Sequence, residues 1–304
     1  MEKINTETPF KGDLAFDEPL KNHTTFKVGG PADVWVRPEA DVFPSYVERL
    51  GKVTQKEGVP LFFLGGGANL VVSDRGIRGV VVDTTAWTGW NWLDGAVEVR
   101  SGTAVDTLAD ACGRRGAGGL EFLAGMPGTI GGALWMNARC YGSSVSDVLL
   151  ETTILDEGWE KRVLPFRPED FSYKRSPFQG RSVLILLGRF RLISQDPDEL
   201  QKKMCEYRMD RETKGHYRFP SAGSAFKNNR DFGKPTGMII DELGLRGLRL
   251  GGAEVAPWHG NIIINRGSAT AQDIRRLTEV VAQRVLDQRG LRLECEILFV
   301  GEWD

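Results

Sequence analysis

The first half of the chain alternates short apolar segments with amphipathic ones. Apolar residues at helical spacing predict helices over Asp41–Gly58 and Val105–Gly116. Runs that are apolar throughout or at every second position predict strands, at Val34–Arg37, Leu61–Leu64, Val80–Asp83, Val97–Arg100, Leu120–Leu123, Leu150–Asp156 and Ser182–Leu192. We therefore expect an α+β fold in which short strands and short helices follow one another.

The pattern changes near residue 195, where a polar segment leads into a long charged helix. That helix is predicted to begin at Pro197 or Asp198 and to end within Arg211–His216. The elements predicted after it are a helix over Pro235–Leu243, a strand over Asn261–Asn265, a helix over Thr270–Gln288 and a strand over Leu291–Val300. Gly244 and Gly290 stop the two helices. The chain is thus predicted to form two domains, residues 1–195 and 196–304.

Composition and charge exclude several classes of protein. The chain of 304 residues has a net charge of −2, so it offers no basic field for nucleic acid or an anionic membrane. Met1–Glu7 carries charges where a signal peptide needs an apolar core, and the longest apolar run, Val183–Leu187, is far too short to span a bilayer. We expect a cytoplasmic protein. The 4 cysteines and 3 histidines are scattered, which predicts neither disulfides nor a metal site, so redox chemistry would need an organic cofactor.

Two glycine-dense loops carry the strongest chemical signal. Glycine removes the Cβ that would keep a ligand from the backbone, and it allows the positive φ angles that turn N–H groups toward an anion. The residues predicted to bind a cofactor in these loops are Gly65, Gly66, Gly67, Ala68, Asn69, Gly125, Pro127, Gly128, Thr129, Gly131, Gly132, Asn137 and Ala138. Two such loops predict a ligand with two phosphates, a dinucleotide or a nucleotide sugar. Neither loop is a P-loop or a Rossmann fingerprint, and each could instead be a structural tight turn.

Further motifs accompany the loops along the chain. In order, the motifs are Thr25–Asp33, Leu64–Asp74, Gly125–Ala138 with Tyr141–Gly142, Phe171–Ser176, Pro220–Lys227, Gly251–Val255 with His259–Asn261, and Glu294–Ile297. Together they resemble the UDP-N-acetylenolpyruvoylglucosamine reductases, the family of flavoproteins that makes UDP-N-acetylmuramate for peptidoglycan. The resemblance covers nearly the whole chain from about residue 20.

The resemblance implies an FAD-binding domain of the p-cresol methylhydroxylase and vanillyl-alcohol oxidase type, with subdomains at about residues 1–85 and 86–195, and a substrate domain over 196–304. The short connection between Arg191 and His216 indicates the class without an inserted lid. FAD and NADPH are the implied cofactors. The implied partner is the small molecule UDP-N-acetylglucosamine enolpyruvate, with no nucleic acid, membrane or metal, and we expect a monomer. In the family's reaction, hydride reaches the terminal enolpyruvyl carbon, and the neighbouring carbon becomes a carbanion beside a carboxylate.

Three catalytic roles follow from the resemblance. Ser224 matches the donor that protonates the carbanion, although its local sequence alone favours a serine that caps a turn within Ser221–Ser224. Glu296 matches the catalytic glutamate; burial in an apolar strand would favour its protonated form, whereas a half-exposed strand would leave it on a polar face. The family's Tyr-Arg-x-Ser motif has lysine at its arginine position here. Either Lys174 or Arg175 therefore supplies the cation for the carboxylate, unless the two form an ordinary exposed basic pair.

The residues that match substrate-contacting positions of the family are Tyr173, Lys227, His259 and Asn261. An isolated histidine such as His259 is equally often structural. Two other functions stay open: a flavoenzyme of the same FAD fold that oxidises a sugar or an alcohol, and a flavin- or nucleotide-sugar-binding protein without turnover. Consumption of NADPH that depends on the enolpyruvyl sugar would separate the three.

Overall fold

The computed structural model describes residues 10–303, so the charged segment Met1–Glu7 lies outside the described residues. Within this range the chain forms two compact units, each built from three segments. The first unit comprises residues 10–16, 34–66 and 79–208, and the second comprises 17–33, 67–78 and 209–303. This division differs from a single boundary near residue 195, because two early segments group with the C-terminal residues. The assignment of FAD-binding and substrate domains to 1–195 and 196–304 stays a prediction.

The helices agree with those that the apolar spacing predicts. They are α1 (Phe43–Lys56), α2 (Val105–Arg114), α3 (Ile130–Trp135), α4 (Pro197–Thr213), α5 (Thr236–Glu242) and α6 (Ala271–Arg289). Gly244 and Gly290 follow α5 and α6 with φ of +68° and +69°, which confirms them as helix stops. Helix α3 was not predicted and forms inside the second glycine loop. Among residues 10–303, no helix combines the length and the apolar character that crossing a membrane requires.

The strands are mostly short and antiparallel. They are β1 (Gly12–Pro19), β2 (Pro31–Pro38), β3 (Leu61–Leu64), β4 (Leu70–Val72), β5 (Ile77–Asp83), β6 (Trp90–Leu93), β7 (Ala96–Arg100), β8 (Ala117–Gly118), β9 (Arg139–Cys140), β10 (Ser143–Ser144), β11 (Leu149–Leu155), β12 (Lys161–Pro165), β13 (Leu184–Arg191), β14 (Ile193–Ser194), β15 (Arg249–Leu250), β16 (Ala253–Val255), β17 (Ile263–Asn265) and β18 (Leu298–Val300). With the helices, they confirm the predicted α+β class.

The first unit contains the five-stranded antiparallel sheet β12-β11-β13-β7-β6. Helix α3 packs on β13 and β7, so the second glycine loop rests on this sheet. Strand β3 pairs in parallel with β5 and delivers the first glycine loop at its end. The core beneath α2 and α3 consists of buried apolar side chains such as Val97, Leu108, Leu123, Leu134 and Phe190.

The second unit packs α6 against the antiparallel sheet β15-β16-β17 and the parallel pair β4–β18. Thr270 and Asp273 form a capping box at the start of α6. Asp74, from the end of the segment 67–78, accepts hydrogen bonds from the next two N–H groups, those of Ala271 (2.8 Å) and Gln272 (3.0 Å). An early segment of the chain therefore completes the cap of a late helix.

Two predicted strands are wrong: the first is not a strand, and the second is shorter than predicted. Glu121–Leu123 is a 3₁₀ turn, because its amides bond three residues back and the Glu121 carboxylate accepts the N–H of Gly119 at 2.7 Å. The predicted strand Leu291–Val300 is regular only over β18. Before it, the backbone pairs locally with another segment, through an isolated bridge between Phe226 and Cys295.

Candidate active site

The two glycine loops touch each other within the first unit. A Cβ on Gly65 would lie 2.5 Å from Thr129 Oγ1, and a Cβ on Gly66 would lie 2.9 Å from Gly128 Cα. At Gly66 only glycine permits this approach, because the atom in the way belongs to the backbone; at Gly65 it is a side-chain oxygen. The sequence predicted the two loops separately, and the structure joins them.

Several backbone donors in these loops have no protein partner. Within residues 10–303, no group accepts a hydrogen bond from the N–H of Gly66, Gly67, Ala68 or Thr129. Gly67 has a φ of +59°, the left-handed conformation that turns successive amides toward one side. In the first unit, where the two loops touch, the unpartnered N–H groups are those of Gly66 and Thr129, and donors of this kind suit an anionic group such as a pyrophosphate.

Gly131 and Gly132 in α3 are glycine for different reasons. A Cβ on Gly131 would lie 3.0 Å from Ser101 Cβ, and its N–H donates to Ser101 O at 2.8 Å, so protein packing accounts for it. A Cβ on Gly132 would meet nothing closer than Thr129 Oγ1 at 3.7 Å. Since alanine is the better helix former, the protein itself does not require glycine at 132. The open space is what a ligand lying against the backbone requires.

The start of the second loop is fixed by charged side chains that sequence reasoning missed. The N–H of Gly125 donates to Asp106 Oδ1 at 2.7 Å, and Arg208 donates to both Asp106 and Asp110 at 2.6 Å. Pro127, which follows in the loop, is exposed. No local pattern in the sequence links Asp106 with Gly125, so this anchor becomes visible only in three dimensions.

The end of the second loop is fixed by Asn137, whose side chain is buried. Its Nδ2 donates to Ser172 O at 2.9 Å, and its Oδ1 accepts the N–H of Ser146 at 3.2 Å. The N–H of Ala138 donates to Ala133 O at 2.8 Å. The amide of Asn137 is therefore engaged with protein partners, and contact of Asn137 and Ala138 with a cofactor stays a prediction.

The candidate cations lie on a tight turn in the first unit. Ser172 and Arg175 exchange two backbone hydrogen bonds, of 3.2 and 3.0 Å, around Tyr173 and Lys174. Lys174 has a φ of +58°, as at the third residue of a type II turn. Lys174 is half-buried, whereas Tyr173 and Arg175 are exposed.

The predicted catalytic residues Ser224 and Glu296 are neighbours in the second unit. The segment that follows Gly223 runs between two other segments: Ser224 forms a bridge with Ile262, and Ala225 O accepts the N–H of Glu296 at 2.8 Å. Ser224 is half-buried, and within the described residues its hydroxyl has no hydrogen-bond partner. The hydroxyl is thus available to a substrate beside a carboxyl group.

Glu296 is half-buried rather than buried, which corrects the expectation from its apolar neighbours. Two hydrogen bonds hold the backbone of Glu296: its N–H donates to Ala225 O at 2.8 Å, and its carbonyl accepts a hydrogen bond from Asn69 Nδ2 at 3.1 Å. Lys227 Nζ pairs with Glu294 Oε1 at 2.5 Å, and its side chain is 16% exposed. Asn69 belongs to the first glycine loop, so the end of this loop and the backbone of Glu296 are joined within the second unit.

Thr25 gives a second link of the same kind. Its N–H donates to Gly67 O at 3.1 Å, and its hydroxyl donates to Ser221 O at 2.7 Å. The threonine of the motif Thr25–Asp33 therefore connects the first glycine loop to the serine loop. Sequence reasoning identified the motif but not this role.

Asn261 uses its side chain to hold the backbone beside Ser224. Its Oδ1 accepts the N–H of Phe226 at 2.9 Å, and its Nδ2 donates to Phe226 O at 2.8 Å. The side-chain amide thus pairs with both backbone groups of Phe226, as a neighbouring strand would. Asn261 is 3% exposed. Direct contact of Asn261 with substrate stays a prediction.

His259 is held in one tautomer. Its Nδ1 accepts the N–H of Asn261 at 3.1 Å, so the neutral ring carries its hydrogen on Nε2. Burial lowers the pKa of His259, and burial together with the nearby Arg211 cation lowers the pKa of His216 to about 4. The two rings lie 6.1 Å apart, centroid to centroid. At neutral pH His259 therefore offers a neutral Nε2–H donor.

The chemistry available in the second unit is a hydroxyl, a carboxyl group and an imidazole donor, carried by segments of which those with Ser224 and Glu296 pair through their backbones. No group of three or more metal-ligating side chains occurs among residues 10–303. The arrangement suits proton transfer and hydrogen bonding to an oxyanion. The electrons of a redox reaction would have to come from a ligand of the glycine loops.

Comparisons with known proteins agree with both halves of this description. Residues 38–158 match the family profile described as FAD binding domain, which confirms the predicted fold class; the role of the individual glycine-loop residues stays a prediction. Residues 215–300 match the profile described as UDP-N-acetylenolpyruvoylglucosamine reductase, C-terminal domain. The second match contains Ser224, His259 and Glu296.

Relatives match over nearly the full length. The chain is 39% identical over 316 residues to UDP-N-acetylenolpyruvoylglucosamine reductase of Treponema denticola, a match that covers 98% of this chain and 97% of the relative. It is 40% identical over 292 residues to the enzyme of that name in Rubrobacter xylanophilus, covering 94% of this chain and 95% of the relative. The crystal structure of UDP-N-acetylenolpyruvylglucosamine reductase from Thermus caldophilus superposes with a TM-score of 0.78 at 32% identity, covering 96% of this chain and 100% of that one.

Proposed function

This chain belongs to the UDP-N-acetylenolpyruvoylglucosamine reductase family, and from that premise we propose which of its residues carry the reaction. The protein is an FAD-dependent oxidoreductase that uses NADPH to reduce the enolpyruvyl group of UDP-N-acetylglucosamine enolpyruvate, giving UDP-N-acetylmuramate for peptidoglycan. The alternative, an oxidase of the same FAD fold, is not favoured, because the similarity includes the C-terminal residues 215–300.

Further features belong to the same proposal. An FAD-binding domain over residues 1–195, with subdomains near 1–85 and 86–195, and a substrate domain over 196–304 are supported by profile matches that fall on either side of residue 195. The protein acts as a monomer in the cytoplasm, where a soluble nucleotide-sugar substrate is available.

FAD is held by the joined glycine loops. The unpartnered N–H groups of Gly66 and Thr129, both in the first unit, donate to its pyrophosphate, and the open face of Gly132 allows the cofactor to lie against the backbone. When bound, FAD supplies the hydride chemistry, taking two electrons from NADPH and passing them to the enolpyruvyl carbon.

Ser224 protonates the carbon next to the substrate carboxylate. Its unpartnered hydroxyl, beside Glu296 within the family's C-terminal match, is the observation that carries this assignment. A serine hydroxyl is a weak acid, but it is strong enough for a carbanion. One hydride and one proton are added across the double bond, which balances the reduction.

Glu296 and His259 act on the substrate around this proton transfer. The backbone of Glu296 is fixed by Ala225 and Asn69, which holds the carboxyl group near Ser224. His259 donates an Nε2 hydrogen bond to a substrate oxygen, since its Nδ1 is already an acceptor. Lys227, paired with Glu294, contributes a further cation to the substrate-binding surface.

Lys174 supplies the cation for the substrate carboxylate, in preference to Arg175. Burial distinguishes the two, because Lys174 is half-buried and Arg175 is exposed. A partly desolvated ammonium interacts more strongly with a carboxylate than an exposed guanidinium does. Tyr173 lies on the same turn and can contact the substrate.

An anaerobic absorption experiment tests the function. The purified protein should show a flavin spectrum that bleaches with NADPH and recovers when UDP-N-acetylglucosamine enolpyruvate is added. Recovery with oxygen alone would indicate an oxidase. Absence of flavin after reconstitution with FAD would contradict the assignment of the glycine loops.

A further inference from the structure

Two amide side chains hold the turn that carries Lys174. Asn137 donates to Ser172 O at 2.9 Å, and Gln179 Nε2 donates to Lys174 O at 3.1 Å. Gln179 Nε2 also donates at 2.9 Å to the carbonyl of Trp135, the last residue of α3. The turn is therefore tied at Ser172 and at Lys174 to the C-terminal part of the second glycine loop.

The backbone of Lys174 requires such restraint. A residue with a Cβ is disfavoured in the left-handed conformation that Lys174 adopts, because the Cβ then lies too close to the following carbonyl oxygen. The third position of a type II turn is normally glycine or asparagine. Strained residues persist where the surroundings determine their geometry and the strain serves a function. Lysine at this position is therefore explained by its side chain, not by its backbone preference.

Gln179 is the group that fixes this geometry from outside the turn. Its single Nε2 bridges Lys174 O and Trp135 O, so it sets the orientation of the peptide that follows Lys174. That orientation determines where the lysine side chain leaves the backbone. The hydrogen bonds between Ser172 and Arg175 close the turn but do not connect it to the rest of the unit.

We propose that Gln179 is a positioning residue for Lys174, holding the strained turn so that the ammonium group meets the substrate carboxylate. The inference rests on the proposed function, because it requires Lys174 to act in the half-reaction with the enolpyruvyl sugar. Gln179 itself contacts no reacting atom in this assignment. It connects the cation to α3, which also forms part of the cofactor loop.

The test compares Gln179→Leu with the wild type in the two half-reactions, measured by stopped-flow flavin absorbance. Reoxidation of the reduced flavin by the enolpyruvyl sugar should slow about 10- to 100-fold, the effect of a displacement on the order of 1 Å. Reduction of the flavin by NADPH should stay within about 2-fold, because Lys174 does not take part in it. Gln55→Leu is the matched control, since Gln55 also donates its amide to a backbone carbonyl of the first unit, Glu157 O at 3.3 Å.

Lys174→Gly provides a second measurement. Glycine adopts positive φ without strain, so this variant should be at least as stable as the wild type while reoxidation slows about 100-fold or more. A wild type that is not reoxidised by the enolpyruvyl sugar would overturn the proposed function and this inference with it. If the wild type is reoxidised by the enolpyruvyl sugar but Gln179→Leu and Gln55→Leu are reoxidised at the same rate, the inference about Gln179 is overturned and the proposed function is not. Equal loss of both half-reactions in Gln179→Leu would also overturn it, because Gln179 would then be merely structural.

Discussion

Asn261→Ala should weaken the fold and slow one half-reaction selectively. The substitution removes an amide that is 3% exposed and makes two hydrogen bonds to Phe226, of 2.9 and 2.8 Å. Each buried group left without its partner costs about 1–3 kcal/mol, so the two together lower the free energy of unfolding by about 2–6 kcal/mol. Such a loss is a large fraction of the stability of a typical domain, about 5–15 kcal/mol.

The effect of Asn261→Ala on the reaction follows from the position of Phe226 beside Ser224 and Glu296. Phe226 lies two positions after Ser224, and Ala225 O accepts the N–H of Glu296. Release of Phe226 should therefore displace Ser224 and Glu296, the proposed catalytic residues, and reoxidation of flavin by the enolpyruvyl sugar should slow by about 10- to 100-fold. Reduction by NADPH should remain near the wild-type rate.

Asn265→Ala is the matched control for Asn261→Ala. Asn265 is 4% exposed, donates to Phe26 O at 3.0 Å, and accepts N–H groups of Gly267 and Ala269. Its loss should reduce stability, measured by urea unfolding, without selective slowing of reoxidation. If Asn261→Ala instead kept its stability and raised only the KM for the enolpyruvyl sugar, Asn261 would contact the substrate directly and this reasoning would be refuted.

Three further outcomes are expected. Ser224→Ala should leave flavin reduction by NADPH intact and slow reoxidation by substrate about 10²- to 10⁴-fold, because the proton donor is lost. Stopped-flow absorbance measures both rates, and a fall in both together would show that Ser224 is structural. Gly132→Ala should keep or slightly raise the stability of the protein, since the new Cβ meets nothing closer than 3.7 Å. It should weaken FAD binding at least about tenfold, measured by fluorescence titration. Unchanged affinity would exclude close approach of the cofactor to residue 132. Burial lowers the pKa of His216 to about 4 in the folded protein, below its ordinary 6.5, so the unfolded state binds the proton more readily. Stability should therefore fall as pH decreases from about 6.5 toward 4, by at most about 1.4 kcal/mol per pH unit for this group, and urea midpoints of His216→Gln should show a shallower slope.

The sequence predicted local structure well because local structure follows periodicity and capping. The spacing of apolar residues in α6 and the glycine after it required no knowledge of distant contacts. The predicted strand at Leu120–Leu123 failed because the Glu121 carboxylate and the preceding glycines favour a turn, and apolar character alone does not distinguish the two. The positive φ of Lys174 could not be predicted, since lysine carries no preference for it.

The candidate site was less predictable because it depends on contacts between distant segments. The resemblance identified Ser224 and Glu296, but no sequence pattern indicates that Asn69 bonds to Glu296 or that Thr25 bonds to Ser221. Asn261 is predicted to contact the substrate, and in the structure its side chain holds the backbone of Phe226, which leaves that contact a prediction. Amides and hydroxyls serve both purposes equally well, so their role is set by geometry.

The three-segment construction of the second unit has a consequence for biosynthesis. Residues 17–33 and 67–78 have their partners in the segment 209–303, and Asn69 and Glu296 are 227 positions apart. At about 5–20 residues per second, a ribosome leaves these early segments waiting for roughly 10–45 s. During that time Phe26 and Val71, which share a native core with residues beyond 209, lack most of the side chains that cover them. High contact order therefore makes this unit slow to form and a natural client of chaperones, and its catalytic region closes only when the last strand has emerged.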